Sequence, residues 1–263
     1  MEVHHHPHIE KKGIKEYFFE FVMIFLAVTL GFIAENLREY IKDNNEITQD
    51  IKSVLSDLNS DVAHFNAVLN TNEYSYTSAD SLLRLLDNNI SNTPQIYLLA
   101  RAVTANVGNY YANSKTFDQM KASGVLKLIH PRDLLDSLSL YYVTFQFLSA
   151  QDNLVKLTLD DVHKDNYLLF DNNIFSQMKV GFENINKSYT KIELPSGHPA
   201  LLSTDYKTVN RVALNYYYLA ASERFDCTLA ERQKALALRL ITLIKKEYHY
   251  EMSEQPQTGN YKL

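Results

Sequence analysis

The run YFFEFVMIFLAVTLGFIA, Tyr17 to Ala34, decides how the rest of the chain is read. It is apolar apart from Glu20, Thr29 and the small residue Gly31. Eighteen residues at about 1.5 Å rise come close to the ~30 Å hydrocarbon core of a bilayer, and Lys15 and Arg38 can snorkel from its ends. The run predicts a transmembrane helix over residues 17–36. A buried helix of a soluble protein and a cleaved signal peptide compete with it. Against the signal peptide, the run closes on Gly31-Phe32-Ile33-Ala34, where Phe32 stands in the place of the small residue that cleavage needs. The reading is an uncleaved signal anchor. Lys11, Lys12 and Lys15 before the run, against Arg38 and Lys42 after it, favour a cytoplasmic N-terminus. Residues 1–16 then form a cytoplasmic tail, and residues 37–252 a periplasmic domain of a single-pass inner-membrane protein.

Within the span, Glu20 lies near the cytoplasmic end, where a carboxylate reaches headgroup water, pairs with a lysine or contacts a partner. Ala27 and Gly31 form a small-xxx-small pair that lets a second helix approach. The tail ahead of the span carries His4, His5, His6 and His8 around Pro7. Imidazoles this dense chelate transition metals weakly when no fold fixes their geometry, and a solvated tail is the plainer reading.

Beyond the span, Glu35 to about Asn70 contains neither Gly nor Pro. Ile51, Leu55, Leu58, Val62, Phe65 and Leu69 alternate by four and three, with Asp57, Asp61 and Asn66 placed outside this seam. The pattern predicts a stalk helix continuous with the anchor, whose seam serves an intramolecular bundle more readily than a free coiled coil. Further helices are read over 78–88, 95–107, from about 114 to 129, and from Pro131 to about Tyr167. Residues 171–203, with Asn172, Asn173, Gly181, Pro195, Gly197 and Pro199, read as irregular. Helix resumes over 205–225, and Thr228 with Glu231 fits a capping box opening a last helix. The tail 253–263 reads as disordered. With seven glycines, six prolines and no tryptophan in 263 residues, the fold class is all-α, an N-terminal transmembrane helix leading into a helical bundle.

A net charge of -5 with both signs intermixed provides no cationic field for phosphate, which excludes nucleic acid as a natural partner. Lone Cys227 excludes an internal disulfide. There is no dinucleotide fingerprint, phosphate loop, nucleophile elbow or His-Glu-x-x-His pair. Asp160, Asp161 and His163 have a spacing that metal sites use, but the further carboxylates of a di-metal bundle are lacking. Cys227, read as lying just before a helix, and His130, beside Pro131, are read as structural. No cofactor is expected. Eighteen tyrosines cluster at Tyr110-Tyr111, Tyr141-Tyr142 and Tyr216-Tyr217-Tyr218. Tyr110, Tyr141 and Tyr217 are candidates for a ligand or partner surface, with core-edge packing as the alternative.

The N-terminal HHHPH and KEYFFEFVMIFLAVTLGFIAENLRE together resemble the opening of a set of single-pass membrane proteins from Bacteroidota. Thr116 to Tyr142, with SGVLKLI at Ser123 to Ile129, is similar to a pattern in related families of unknown function. The two stretches cover about a quarter of the chain. The resemblance implies an envelope protein with a helical periplasmic domain and carries over no catalytic residue. The expected partners are the lipid bilayer and other membrane proteins or further copies of the chain. The expected role is protein interaction or assembly, with small-molecule binding as the alternative.

Overall fold

The computed structural model describes residues 13–178, 180–181 and 191–249. The histidine tract, Lys11, Lys12 and the 253–263 tail lie outside the described residues. Six α-helices, one 3-10 helix and a two-residue antiparallel ladder are present among them: α1 (Ile14–Asn88), α2 (Thr93–Ala105), α3 (Lys115–Ser123), the 3-10 turn Val125–Leu128, α4 (Arg132–Asn166), α5 (Asn172–Gln177), β1 (Val180–Gly181), β2 (Lys191–Ile192) and α6 (Tyr206–Glu247). The class is all-α. The chain divides into two compact units, residues 1–49 and 50–263.

In the first unit, α1 carries an 18-residue window apolar enough to cross a membrane, and none of that window is buried. Phe18 is 61% and Phe25 58% exposed, an arrangement water does not favour. Thr29 sends its hydroxyl back to the Phe25 carbonyl at 2.8 Å, so its polar group needs no other partner in an apolar surround. Ala27 and Gly31 are exposed, and no atom stands within 4 Å of where a Cβ on Gly31 would sit.

In the second unit the long helices share one pattern. On α1 the core seam runs through Ile51, Val54, Leu58, Asp61, Phe65, Val68, Asn72, Ser75, Ala79, Leu82 and Leu86, alternating by three and four, with Leu69 and Ser78 buried beside it. On α6 the same rhythm runs through Val212, Tyr216, Leu219, Glu223, Asp226, Ala230, Gln233, Ala237, Leu240 and Ile244. On α4 it runs through Leu134, Leu138, Tyr141, Leu148, Asp152, Val155 and Val162, with half-buried Phe145 and Leu159 between them. A period of 3.5 keeps each seam turned toward its neighbours along the whole helix. Each fully buried Leu or Ile contributes roughly 1.5–3 kcal/mol.

Hydrogen bonds fix the directions. Asp61 meets Tyr141 and the Phe65 ring approaches Phe145, so α1 and α4 run parallel. Ser75 meets Glu223, and Gln233 and Tyr216 meet Tyr141 and Asn166, so α6 runs against both. A parallel pair needs a return connection, and 93–116 supplies it. Val103 lies at Ser75, Gly108 at Asn72, Asn113 at Asp61 and Thr116 at Asp57, stepping back down α1. Gly124, at φ 78°, closes α3 in the left-handed conformation that favours glycine, and Asp205 opens α6 by accepting from the Thr208 N–H at 3.1 Å.

Several sequence expectations are corrected. Asp61 is not outside the seam but in it, 1% exposed, while Leu55 and Val62 are half-buried at its flank. The helix read over 78–88 is the end of α1, and the two helices read over 205–244 are one. Thr228 caps nothing: it lies inside α6 with its hydroxyl on the Arg224 carbonyl at 3.0 Å. Cys227 therefore lies within a helix rather than before one. Residues read as irregular after 171 include the short helix α5 and the ladder.

Candidate functional site

Seven of the heptad positions just described are polar, Asp61, Asn72, Ser75, Asp152, Glu223, Asp226 and Gln233, and with residues beside them they form layers across the second unit. In the first layer Asp61 accepts from the Tyr141 hydroxyl and from the Asn113 N–H, each at 2.8 Å. Gln233 donates to the Tyr141 carbonyl at 2.6 Å and accepts from Thr144 at 2.8 Å. Burial is the largest influence on Asp61 and raises its pKa, with the Tyr141 hydroxyl opposing it. Tyr141, fully buried, is pushed well up by burial and by the Asp61 charge. Every polar atom here has a partner, which fixes register as a buried polar residue does in a coiled coil.

A second layer is less complete. Asn72 grips Gly108 from both sides, accepting from its N–H at 2.7 Å and donating to its carbonyl at 3.3 Å. Ser75 donates to Glu223 Oε1 at 2.9 Å. Glu223 Oε2, both carboxyl oxygens of Asp226 and Asp152 Oδ1 are buried with no hydrogen-bond partner among the described residues. Burial first, and then the neighbouring acid, push Glu223 up to about 8 and Asp226 up to about 7. Both acids can therefore hold protons near neutrality. The Tyr110 hydroxyl points at Cys227 Sγ, 3.6 Å away, and burial pushes the thiol up to about 11. Outside this layer α1 and α6 form a groove of about 430 Å³, lined among others by Glu73, Tyr76, Arg224, Cys227 and Lys234. Its cations are engaged: Arg224 reaches Asp80 at 2.7 Å and Lys234 reaches Glu231 at 2.7 Å.

A third layer is an ion pair. Asp165 accepts from Arg211 Nε at 2.7 Å and Nη2 at 2.8 Å and from Asn215 at 2.8 Å, and Tyr216 donates to Asn166 at 2.9 Å.

The three candidate tyrosines do not form one surface. Tyr110 and Tyr141 are core residues, whereas Tyr217 is 56% exposed with its ring edge-on to Tyr218. Tyr217 also lies sixteen residues, about 24 Å of helix, from the Gln233 that holds Tyr141. Asp161 is exposed and bonded to Lys164 at 2.9 Å, and no three His, Cys, Asp or Glu residues converge to hold a metal among the described residues. His130 is an exposed turn residue.

Sequence reading missed a second stripe on α4. Leu140, Val143, Phe147, Leu154 and Leu157 are between 51% and 63% exposed, and Ala150 between them is exposed as well. They repeat at three and four on the face turned away from the α4 core seam. The signal lay in the sequence: α4 carries two apolar stripes where a helix covered on one side needs only one. Compared with family models, curated proteins and solved structures, the chain matches none of them.

Proposed function

We propose that this chain is a membrane-anchored component of the cell envelope whose periplasmic helical domain makes protein contacts and catalyses no reaction of its own. The uncovered apolar stripe on α4 carries this reading. A soluble face with six apolar residues in heptad register is the surface a helical partner covers. The exposed apolar window on α1 supports the anchor, and the lysines before it support a cytoplasmic N-terminus in the inner membrane. The resemblance to single-pass membrane proteins of Bacteroidota points the same way. The His4, His5, His6 and His8 tract is read as a solvated tail.

The experiment has two parts. A reporter active only outside the cytoplasm, fused after His249, is expected to be active, and inactivity reverses the orientation. Solubilisation from native membranes in mild detergent is expected to yield a species larger than one chain plus detergent. A lone monomer with nothing accompanying it would count against contact as the function.

Small-molecule binding by the second unit is supported by a different feature, the polar groove between α1 and α6 with Tyr76 and Arg224 on its wall. A ligand retained through purification, seen by native mass spectrometry and lost on Arg224→Ala, favours that reading instead.

A further inference from the structure

We infer that the groove between α1 and α6 binds a small zwitterion, an amino acid or a dipeptide, with its ammonium on Glu73 and its carboxylate on Arg224. This rests on the small-molecule reading above and names the class of the ligand.

The charges of the groove do not cancel among themselves. Its walls run from Asn66 to Tyr76 on α1 and from Lys234 to Arg224 on α6, ten residues or about 15 Å of helix on each side. The helices run opposite ways, so Lys234 stands at the Asn66 end and Arg224 at the Tyr76 end. At the first end Lys234 spends its ammonium on both oxygens of Glu231, at 2.9 and 2.7 Å, and that pair is closed. The Tyr76 end is different. Glu73 is exposed on the wall, and its carboxylate has no hydrogen-bond or ion-pair partner among the described residues. Arg224 reaches Asp80 through Nη2 alone, at 2.7 Å. A guanidinium has five N–H donors in a fork that matches a carboxylate, so most of the fork is left for a ligand. The same guanidinium lies over the Tyr76 ring, 4.9 Å from its centre. Held by both contacts, it needs little further ordering on binding.

The two charges also act in one place. Burial first, and then the Glu73 charge, raise the Tyr76 hydroxyl, while Arg224 lowers it, so acid and base both work on one phenol. Tyr76 lies three residues and Asp80 seven residues beyond Glu73 on α1. The guanidinium that touches both is therefore roughly 5–10 Å along the helix from Glu73. That interval takes an ammonium and a carboxylate joined by a short link, each with a charge-assisted hydrogen bond of about 2.7–2.9 Å.

Simpler ligands fit less well. A lone anion on Arg224 is repelled by Glu73 and Asp80, and a lone cation on Glu73 stands near Arg224 and leaves the fork unused. An apolar ligand has little to touch, because only Leu69, Tyr76 and Cys227 among the lining residues are apolar. Those three suit the link between the charges instead.

The test titrates the full chain in mild detergent, by calorimetry, with L-alanyl-L-alanine and L-alanine as probes and with acetate and methylammonium as the separated halves. At least one zwitterion is expected to bind saturably, at least ten-fold more tightly than either half. Glu73→Gln and Arg224→Gln, both at exposed positions, are each expected to weaken it at least ten-fold with helical circular dichroism unchanged. Saturating zwitterion is expected to slow maleimide labelling of Cys227. Binding that survives either substitution, or leaves that labelling unchanged, overturns the groove as the site. A half that binds as tightly as the zwitterions overturns the zwitterion but leaves small-molecule binding, as does a retained ligand lost on Arg224→Ala when neither zwitterion binds. No saturable binding by any probe and no retained ligand overturns both.

Discussion

Ser75 on α1 donates its hydroxyl to Glu223 on α6 at 2.9 Å, and Glu223 has no exposed surface and a second oxygen with no partner among the described residues. The neutral acid suits that place better than the carboxylate, because a buried charge without a counter-ion is costly. Glu223 lies up at about 8 and Asp226 at about 7, against ordinary values of 4.5 and 3.8. Between those limits the folded state binds protons that the unfolded state has released. Stability is therefore highest at the acid end, below the unfolded values, and falls as pH rises through the folded ones. Each group contributes a slope of up to ~1.4 kcal/mol per pH unit while only the unfolded form is ionised. His64, which burial lowers, opposes this below its ordinary 6.5, so the trend is cleanest from about pH 6.5 to 8.5. The urea midpoint of the detergent-solubilised chain is expected to drop across that window.

Glu223→Gln tests the same relation from the other side. The amide keeps an oxygen for Ser75 and cannot ionise. At pH 8 the variant is expected to match or exceed the parent in unfolding free energy from urea titration, by about 1 kcal/mol, and to flatten the pH slope. A loss of several kcal/mol at pH 8 would mean that Glu223 is held as a carboxylate by something it binds.

Tyr141→Phe removes the hydroxyl that Asp61 Oδ2 accepts at 2.8 Å and leaves that oxygen buried. The expected loss is about 1–3 kcal/mol in denaturant unfolding. Tyr142, whose hydroxyl donates to the Asn113 carbonyl at 3.1 Å, is expected to lose less on the same change, about 0.5–1.5 kcal/mol. Equal losses would remove the special weight given to the Asp61 layer.

These polar layers also explain where the sequence could be read and where it could not. The apolar window at Tyr17–Ala34 needs composition alone, and the rhythm of Ile51, Leu58 and Phe65 needs only the heptad period. Reading fails where the seam turns polar. Asn72 and Ser75 interrupt the apolar pattern of α1, so one helix reads as two. Glu223 and Asp226, followed by Thr228, do the same to α6. A single sequence does not distinguish an acid in a seam from an acid at a helix start, because both interrupt the apolar period and only packing decides between them. The candidate tyrosines fail for a related reason. Tyr110 and Tyr141 spend their hydroxyls inside the core, on Cys227 and Asp61, rather than on a ligand.

Gly108→Ala places a methyl 2.8 Å from Val68 Cγ1 and 3.3 Å from Asn72 Oδ1, where the return segment crosses α1. Either the two-sided grip of Asn72 opens or Val68 leaves its rotamer, and a cost of about 1–3 kcal/mol is expected. Gly31→Ala, with nothing within 4 Å, is expected to leave the unfolding of the second unit unchanged. A smaller assembled size for that variant in detergent assigns the Ala27 and Gly31 surface to a membrane contact.

Cys227 offers the last check, on the second layer itself. Its thiol is pushed from an ordinary 9.0 up to about 11 by burial, and by Glu223 and Asp226 when these are charged. At pH 7.5 the thiolate fraction is then roughly 100-fold below that of an unburied thiol, and the thiolate is the form that reacts. Maleimide labelling of the folded chain is expected to be slower by at least that factor than in denaturing urea, where the ordinary value returns. Glu223→Gln replaces an acid already mostly protonated at that pH and keeps the fold, so labelling is expected to stay close to the parent's rate. If folded and unfolded chains label at the same rate, the α1–α6 groove opens on its own, and the closed second layer that supports the pH prediction is not the working state of the protein.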